Sequence, residues 1–223
     1  TPVSAFLKLG EGRDNAFLLE SVQGGETRGR YSIIGFKPDL IWRCRNGKAE
    51  INRNARADAT AFEPAEFADK PLESLRRLVK ATQMELHPSL PPMAVGLFGY
   101  LGYDMVRLIE TKLAAAKPDP LNLPDAILLR PTVVAIFDNV RDEIVLVSPV
   151  WREAGVDARA AYARASERLN DAINDIERPA PSSPQPPENL PAVTQIDSNT
   201  THDDYLKIVE RAKEYIAAGD VFQ

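Results

Sequence analysis

Glu20 and Ser21 set a carboxylate and a hydroxyl side by side at the end of an apolar run, Phe17-Leu18-Leu19. Both side chains accept hydrogen bonds and the carboxylate carries charge, so the pair suits the ammonium group of a small ligand. A polar stretch bearing Gly24-Gly25-Glu26 follows, and then Gly29-Arg30-Tyr31-Ser32-Ile33-Ile34-Gly35-Phe36. Two short apolar runs about a polar, glycine-bearing connection predict two strands joined by a loop, with Glu20 and Ser21 at a strand edge. A strand end whose polar residues simply face water fits the same pattern. No other stretch offers comparable chemistry. His87 lies in a proline-rich corner with no second ligand at metal-binding spacing. Gly96, Gly99 and Gly102 lack the Gly-x-Gly start of a phosphate loop, and no nucleophile–base pair is evident.

The elements that would position this edge can be read in turn. Leu40–Arg45 and Lys48–Ile51 flank Asn46-Gly47, a strong hairpin signal because both turn positions need positive φ. Residues 52–69 show no clean period and read as a loop or short helix. Pro71 opens a helix whose apolar face is Leu72, Leu75, Leu78 and Val79, ending before His87-Pro88. Residues 92–104 predict a strand whose glycines admit a close neighbouring backbone, then a turn into a helix over Met105–Ala116 with Asp104 at its start. Asp119–Pro124 is a loop. Thr132–Asp138 and Glu143–Val147 predict two strands about a turn at 139–142. Asp157–Glu177 predicts an amphipathic helix with Tyr162, Ala165, Leu169, Ile173 and Ile176 on its apolar stripe. Six prolines within Arg178–Pro191 exclude helix and interior strand, so 178–197 reads as an exposed linker. Beyond it Thr201 and Asp204 form a capping-box-like start to a helix over Asp203–Ala218, Gly219 suits a left-handed cap, and Asp220–Gln223 begins a strand.

The chain has 223 residues, 44% of them hydrophobic, enough for a substantial core. Net charge is −5 with no lysine–arginine run, which disfavours nucleic acid and anionic membrane as partners. No stretch approaches the ~20 apolar residues of a membrane helix, and the opening residues lack the basic start of a signal peptide. One cysteine, Cys44, precludes a disulfide within the chain and fits a cytoplasmic setting. These patterns together give an α+β class, a mostly antiparallel sheet with packed helices.

Leu18-Leu19-Glu20-Ser21 followed by Arg30-Tyr31-Ser32-x-x-Gly35 resembles the N-terminal region of anthranilate synthase component I. Gly96-x-x-Gly99-Tyr100-x-Gly102-Tyr103-Asp104-x-x-Arg107-x-x-Glu110 shows the same resemblance. So does Tyr205-x-x-x-Val209-x-x-Ala212-Lys213-x-x-Ile216-x-x-Gly219-Asp220-x-Phe222-Gln223. Where that family reads Phe-Asp-His, this chain has Phe137-Asp138-Asn139, a residue suited to turns. The resemblance implies the family's fold, with 1–177 a regulatory and structural region and 198–223 the start of the chorismate-binding region. It further implies conversion of chorismate and ammonia to anthranilate and pyruvate, ammonia from a glutamine amidotransferase subunit, and feedback inhibition by tryptophan. Mg²⁺ and the catalytic residues would then lie beyond Gln223. Carried over residue by residue, Ser21 is the best match to a tryptophan contact, with Glu20 and Leu19 beside it and Arg30 and Tyr31 as weaker candidates. Two other readings stay open: aminodeoxychorismate synthase component I, and a stand-alone amino-acid-binding module.

Overall fold

A computed structural model describes residues 1–10, 12–20, 29–110, 112–113, 119–152, 155–179 and 197–223. Two compact units divide the chain, Thr1–Pro181 and Ser182–Gln223.

The first unit is built on two long antiparallel strands, β2 (Tyr31–Arg45) and β6 (Ala126–Asp138), paired along their whole length. The free edge of β2 is shared by β1 (Phe17–Leu19) and β3 (Lys48–Asn52), which in turn pairs with the short β4 (Glu63–Pro64). The free edge of β6 is shared by β5 (Phe98–Leu101) and β7 (Glu143–Val147). Every pairing is antiparallel, as the alternating apolar patterns require.

Successive residues of β6 face opposite sides of the sheet. Val133, Ala135 and Phe137 join Ile34 and Phe36 against Ala5 and Leu9 of α1 (Pro2–Leu9) and Ala172 of α3 (Ala158–Glu177). Val134 and Ile136 meet Ala94 instead, with Tyr31 and Ile33 packed around them. At the other end of the sheet Leu40, Trp42 and Cys44 form a cluster with Ile51 and with Leu78 of α2 (Pro71–Ala81). The buried Trp42 indole donates to Ser74 Oγ at 3.1 Å, which fixes α2 to β2. Cys44 is fully buried, and burial followed by the charge of Asp125 pushes its thiol up to about 11.

The Asn46-Gly47 hairpin forms as the sequence predicts, with φ of 51° and 70°. Several other elements differ from expectation. β6 begins at Ala126 rather than Thr132, continuing through Pro131, because Pro131 lies opposite Pro38 where the β2–β6 register shifts. Two prolines at an irregular step cost no ladder hydrogen bonds that the strands would otherwise make. For the same reason residues 31–45 form one strand instead of two. Where a helix over Met105–Ala116 is expected, the described residues form a 3₁₀ turn at Tyr103–Leu108 with Gly102 as its N-cap, and residues 111 and 114–116 of that expectation lie outside the described residues. Asp104 lies in its first turn and pairs with Arg107 at 2.7 Å rather than capping. On α3 the inward residues are Ala165, Ala172 and Asp175, while Tyr162 and Ile173 are exposed. Small residues let α3 sit close, and Asp175 is admitted because Arg13 meets it at 2.7 Å. On α2, Val79 likewise stays exposed, and Ser74 takes its place inside.

Among the described residues the second unit contributes α4 (His202–Ala218). Thr201 Oγ1 accepts from the Asp204 amide at 3.2 Å, and Gly219 caps the other end at φ 81°. Asp220–Gln223 forms no strand; no partner strand pairs with it among the described residues. No described helix is long and apolar enough to cross a membrane.

Candidate functional site

The predicted strand pair forms. β1 runs antiparallel to β2 with Phe17 opposite Gly35, Leu18 opposite Ile34 and Leu19 opposite Ile33. This register puts Phe17, Leu19, Tyr31, Ile33 and Gly35 on one face of the sheet, since opposed residues share a face and alternate residues along a strand do too. Gly35 has a steric role. The Phe17 ring occupies the space above it, so a Cβ at Gly35 would collide with that ring. Phe17 in turn stacks on Phe98 with centroids 5.1 Å apart, which links β1 across the sheet to β5. The glycine of the Arg-Tyr-Ser-x-x-Gly pattern therefore exists to seat an aromatic ring.

Leu19 is exposed at the end of β1, 47% of its surface open to solvent, and Glu20 follows it with its carboxylate also exposed. Ser21 lies outside the described residues.

Arg30 and Tyr31 stand at the start of β2, and their surroundings are dictated from far along the chain. Asp138, the last residue of β6 and the partner of Tyr31 in the ladder, takes the Arg30 guanidinium in a two-pronged grip, Nε to Oδ1 at 2.9 Å and Nη2 to Oδ2 at 2.6 Å. Oδ1 also accepts from the amides of Val140 and Arg141 at 3.1 and 3.2 Å. The Arg30 hydrogen bonds, with help from those amides against the cost of burial, hold the Asp138 carboxyl at about 2, well below its ordinary value of 3.8. The guanidinium also lies over the Tyr31 ring, 4.8 Å from its centroid. Asn139 completes the knot. Its amide donates to the Arg30 carbonyl at 2.9 Å, and its side chain donates to the Gly29 carbonyl at 3.3 Å. Asn139 is thus more than a turn former, since the left-handed residue of this turn is Asp142, at φ 56°.

Of the five residues singled out from sequence, the structure brings Leu19 and Tyr31 to one face and leaves Glu20 exposed beside them. It ties Arg30 to Asp138. Asp138 and Asn139 were not recognised as partners of this edge, for they lie about 110 residues away and no local pattern announces them. Among the described residues no group of His, Cys, Asp and Glu could hold a metal ion.

Residues 19–223 match the family model described as chorismate binding enzyme. Among curated proteins the chain is 53% identical over all of its 223 residues to anthranilate synthase component 1 of Cereibacter sphaeroides, of which it spans 44%. It is 38% identical, again over its full length, to the Thermus thermophilus protein of the same name, spanning 43% of it. The crystal structure of anthranilate synthase component I from Streptococcus pneumoniae superposes on 99% of the chain and 44% of that protein, with a TM-score of 0.53 at 20% identity, a likeness of fold. The chain therefore spans less than half the length of these relatives. By the family model that covers nearly all of it, this chain belongs to the chorismate binding enzymes.

Proposed function

We propose that the chain is the N-terminal part of an anthranilate synthase component I and carries that enzyme's feedback site for tryptophan. The observation that carries this reading is the 53% identity to the Cereibacter sphaeroides protein, unbroken across the whole chain. The complete polypeptide would convert chorismate and ammonia to anthranilate and pyruvate in tryptophan biosynthesis, in the cytoplasm, with ammonia delivered by a glutamine amidotransferase subunit. In this reading residues 1–177 are regulatory and structural, 178–197 link, and 198–223 open the chorismate-binding region.

Within this chain the roles follow from chemistry. Glu20 and Ser21 accept hydrogen bonds from the tryptophan ammonium, and Leu19 lies against the indole. The Arg30–Asp138 knot holds the start of β2 rigid, so that Tyr31 and Leu19 keep their positions on the face below. Inhibition requires that tryptophan bind one of two states better than the other. Mg²⁺, when bound, would neutralise substrate carboxylates and aid loss of the ring hydroxyl as a Lewis acid. The described residues offer no ligand set for it, and none of the roles assigned to them passes through the metal.

The test is anthranilate fluorescence from the full-length gene product supplied with chorismate, Mg²⁺ and ammonia, with and without tryptophan. Ser21→Ala and Glu20→Gln should form anthranilate as the wild type does while needing about tenfold more tryptophan for inhibition, the loss of one charge-assisted hydrogen bond. Unchanged inhibition in both variants would return Glu20 and Ser21 to a strand end facing water. No anthranilate from the wild type would overturn the enzyme assignment.

A further inference from the structure

The chain is acidic overall, yet four separate segments of the first unit converge on a bowl lined by six arginines. Its volume is about 510 Å³. Arg53 and Arg56 come from the loop after β3, Arg130 from β6, Arg152 from the segment after β7, and Arg164 and Arg168 from α3. Among the described lining residues Asp39 is the only carboxylate. It is already committed to Arg130 through two hydrogen bonds of 2.8 and 2.9 Å.

Arg164 has an interaction of its own, and charge is left over on the other arginines once their internal partners are assigned. Arg168 donates to Ser148 Oγ at 2.9 Å and to the Pro149 carbonyl, both neutral acceptors. Arg53, Arg56 and Arg152 form no ion pair among the described residues. Trp151 forms part of the wall, with the Arg130 guanidinium 4.7 Å from its ring centroid, and its buried indole N–H has no hydrogen-bond partner among the described residues. A buried donor without an acceptor is costly to maintain. The guanidinium of Arg168 is destabilised first by burial and then by Arg56, with Arg164 adding to the repulsion and Asp39 only partly offsetting it. Like charges gathered around a concave surface, with donors unspent, are complementary to an anion.

We propose that this bowl binds a small polyanion, a molecule presenting two or more negative charges on phosphate or carboxylate oxygens. Guanidinium forks match both kinds of oxyanion, and their spread over four segments favours a ligand whose charges are separated. The site is built from the β2–β6 step and α3. It is distinct from the β1 edge and does not depend on the enzyme reading above.

Calorimetric titration of the full-length polypeptide with pyrophosphate and, separately, with citrate, at constant ionic strength, tests the proposal. Saturable binding with Kd below about 1 mM is expected for at least one of them, and the tighter one identifies the ligand as phosphate-like or carboxylate-like. Arg56→Ala and Arg152→Ala, both at exposed positions where folding is not at stake, should each weaken it about tenfold, whereas Arg77→Ala on α2 should leave it unchanged. Absence of saturable binding by both anions up to about 10 mM would overturn the proposal, and is also the result if an acidic polypeptide segment fills the bowl. Wild-type affinity in the Arg56→Ala/Arg152→Ala double variant would overturn it equally.

Discussion

At the scale of single residues the decisive contact is between Arg30 and Asp138. A carboxyl held at about 2 in the folded protein and titrating near 3.8 when unfolded stabilises the fold only while it is ionised. Its contribution is complete above 3.8, declines as pH falls below that value, and is gone once pH has passed through about 2. Wild type and Arg30→Ala should therefore differ in urea stability at pH 6 and converge as the pH is lowered toward 2. A difference that stays constant across that range would mean that Arg30 acts by packing on Tyr31 and not through the carboxylate. Cys44 gives a second residue-scale expectation. With its thiol raised to about 11, roughly one molecule in a thousand is ionised at pH 8, and full burial denies access as well. A thiol reagent should find Cys44 inert in the native protein and reactive in denaturant. Rapid native reaction would show that the β2–β3 cluster opens. The burial of Cys44 is legible in its alternation with Arg43 and Arg45 along β2. The Arg30–Asp138 pair was not, because a contact spanning 108 residues leaves no trace in local pattern.

Among the elements, β1, β2 and β5 are locked together at two glycines, and the two should respond differently to the same change. A Cβ at Gly35 meets the far end of the Phe17 side chain, which can move. Gly35→Ala should cost about 1–3 kcal/mol as an overpacking change, and Phe17→Leu should recover part of that loss by making room. A Cβ at Gly99 meets the Ile127 carbonyl of β6, backbone that cannot yield without breaking the ladder between β5 and β6. Gly99→Ala should be the more damaging, with no side-chain change able to rescue it. Thermal unfolding of the four proteins decides the matter, and equal losses at the two sites would contradict the geometry. The close backbone approach at Gly99 was readable from its place in an apolar, glycine-spaced run. The hairpin at Asn46-Gly47 and the caps of α4 were readable too, because each rests on one residue's backbone preference. What escaped was set by pairing. Pro38 and Pro131 each look like a strand end alone, and only opposite one another at a register shift do they become compatible with two continuous strands. α3 betrayed its period and part of its inward face, Ala165 and Ile176, but not Asp175, which goes inside only because Arg13 awaits it.

For the molecule as a whole, the two units differ in how their apolar residues are used. The first encloses a core of aliphatic and aromatic side chains on both faces of a sheet. The helix of the second buries none of its residues, and Tyr205, Ile208 and Ile216, spaced three and eight apart on one stripe, are 59%, 58% and 46% exposed. A stripe of that spacing is the face an amphipathic helix turns toward a partner surface. The chain spans less than half the length of these relatives. Produced as the 223-residue polypeptide by itself, the protein should therefore associate through α4 at concentrations of about 100 µM, as the cost of wetting those side chains is removed on contact. Light scattering should report a mass above that of one chain for the wild type and a single-chain mass for Ile208→Lys/Ile216→Lys, which keeps helix propensity while charging the stripe. The full-length polypeptide should lose this α4-dependent association. A wild-type 223-residue monomer at that concentration would show that the stripe is tolerated in water, and the case for a covering surface would have to rest elsewhere.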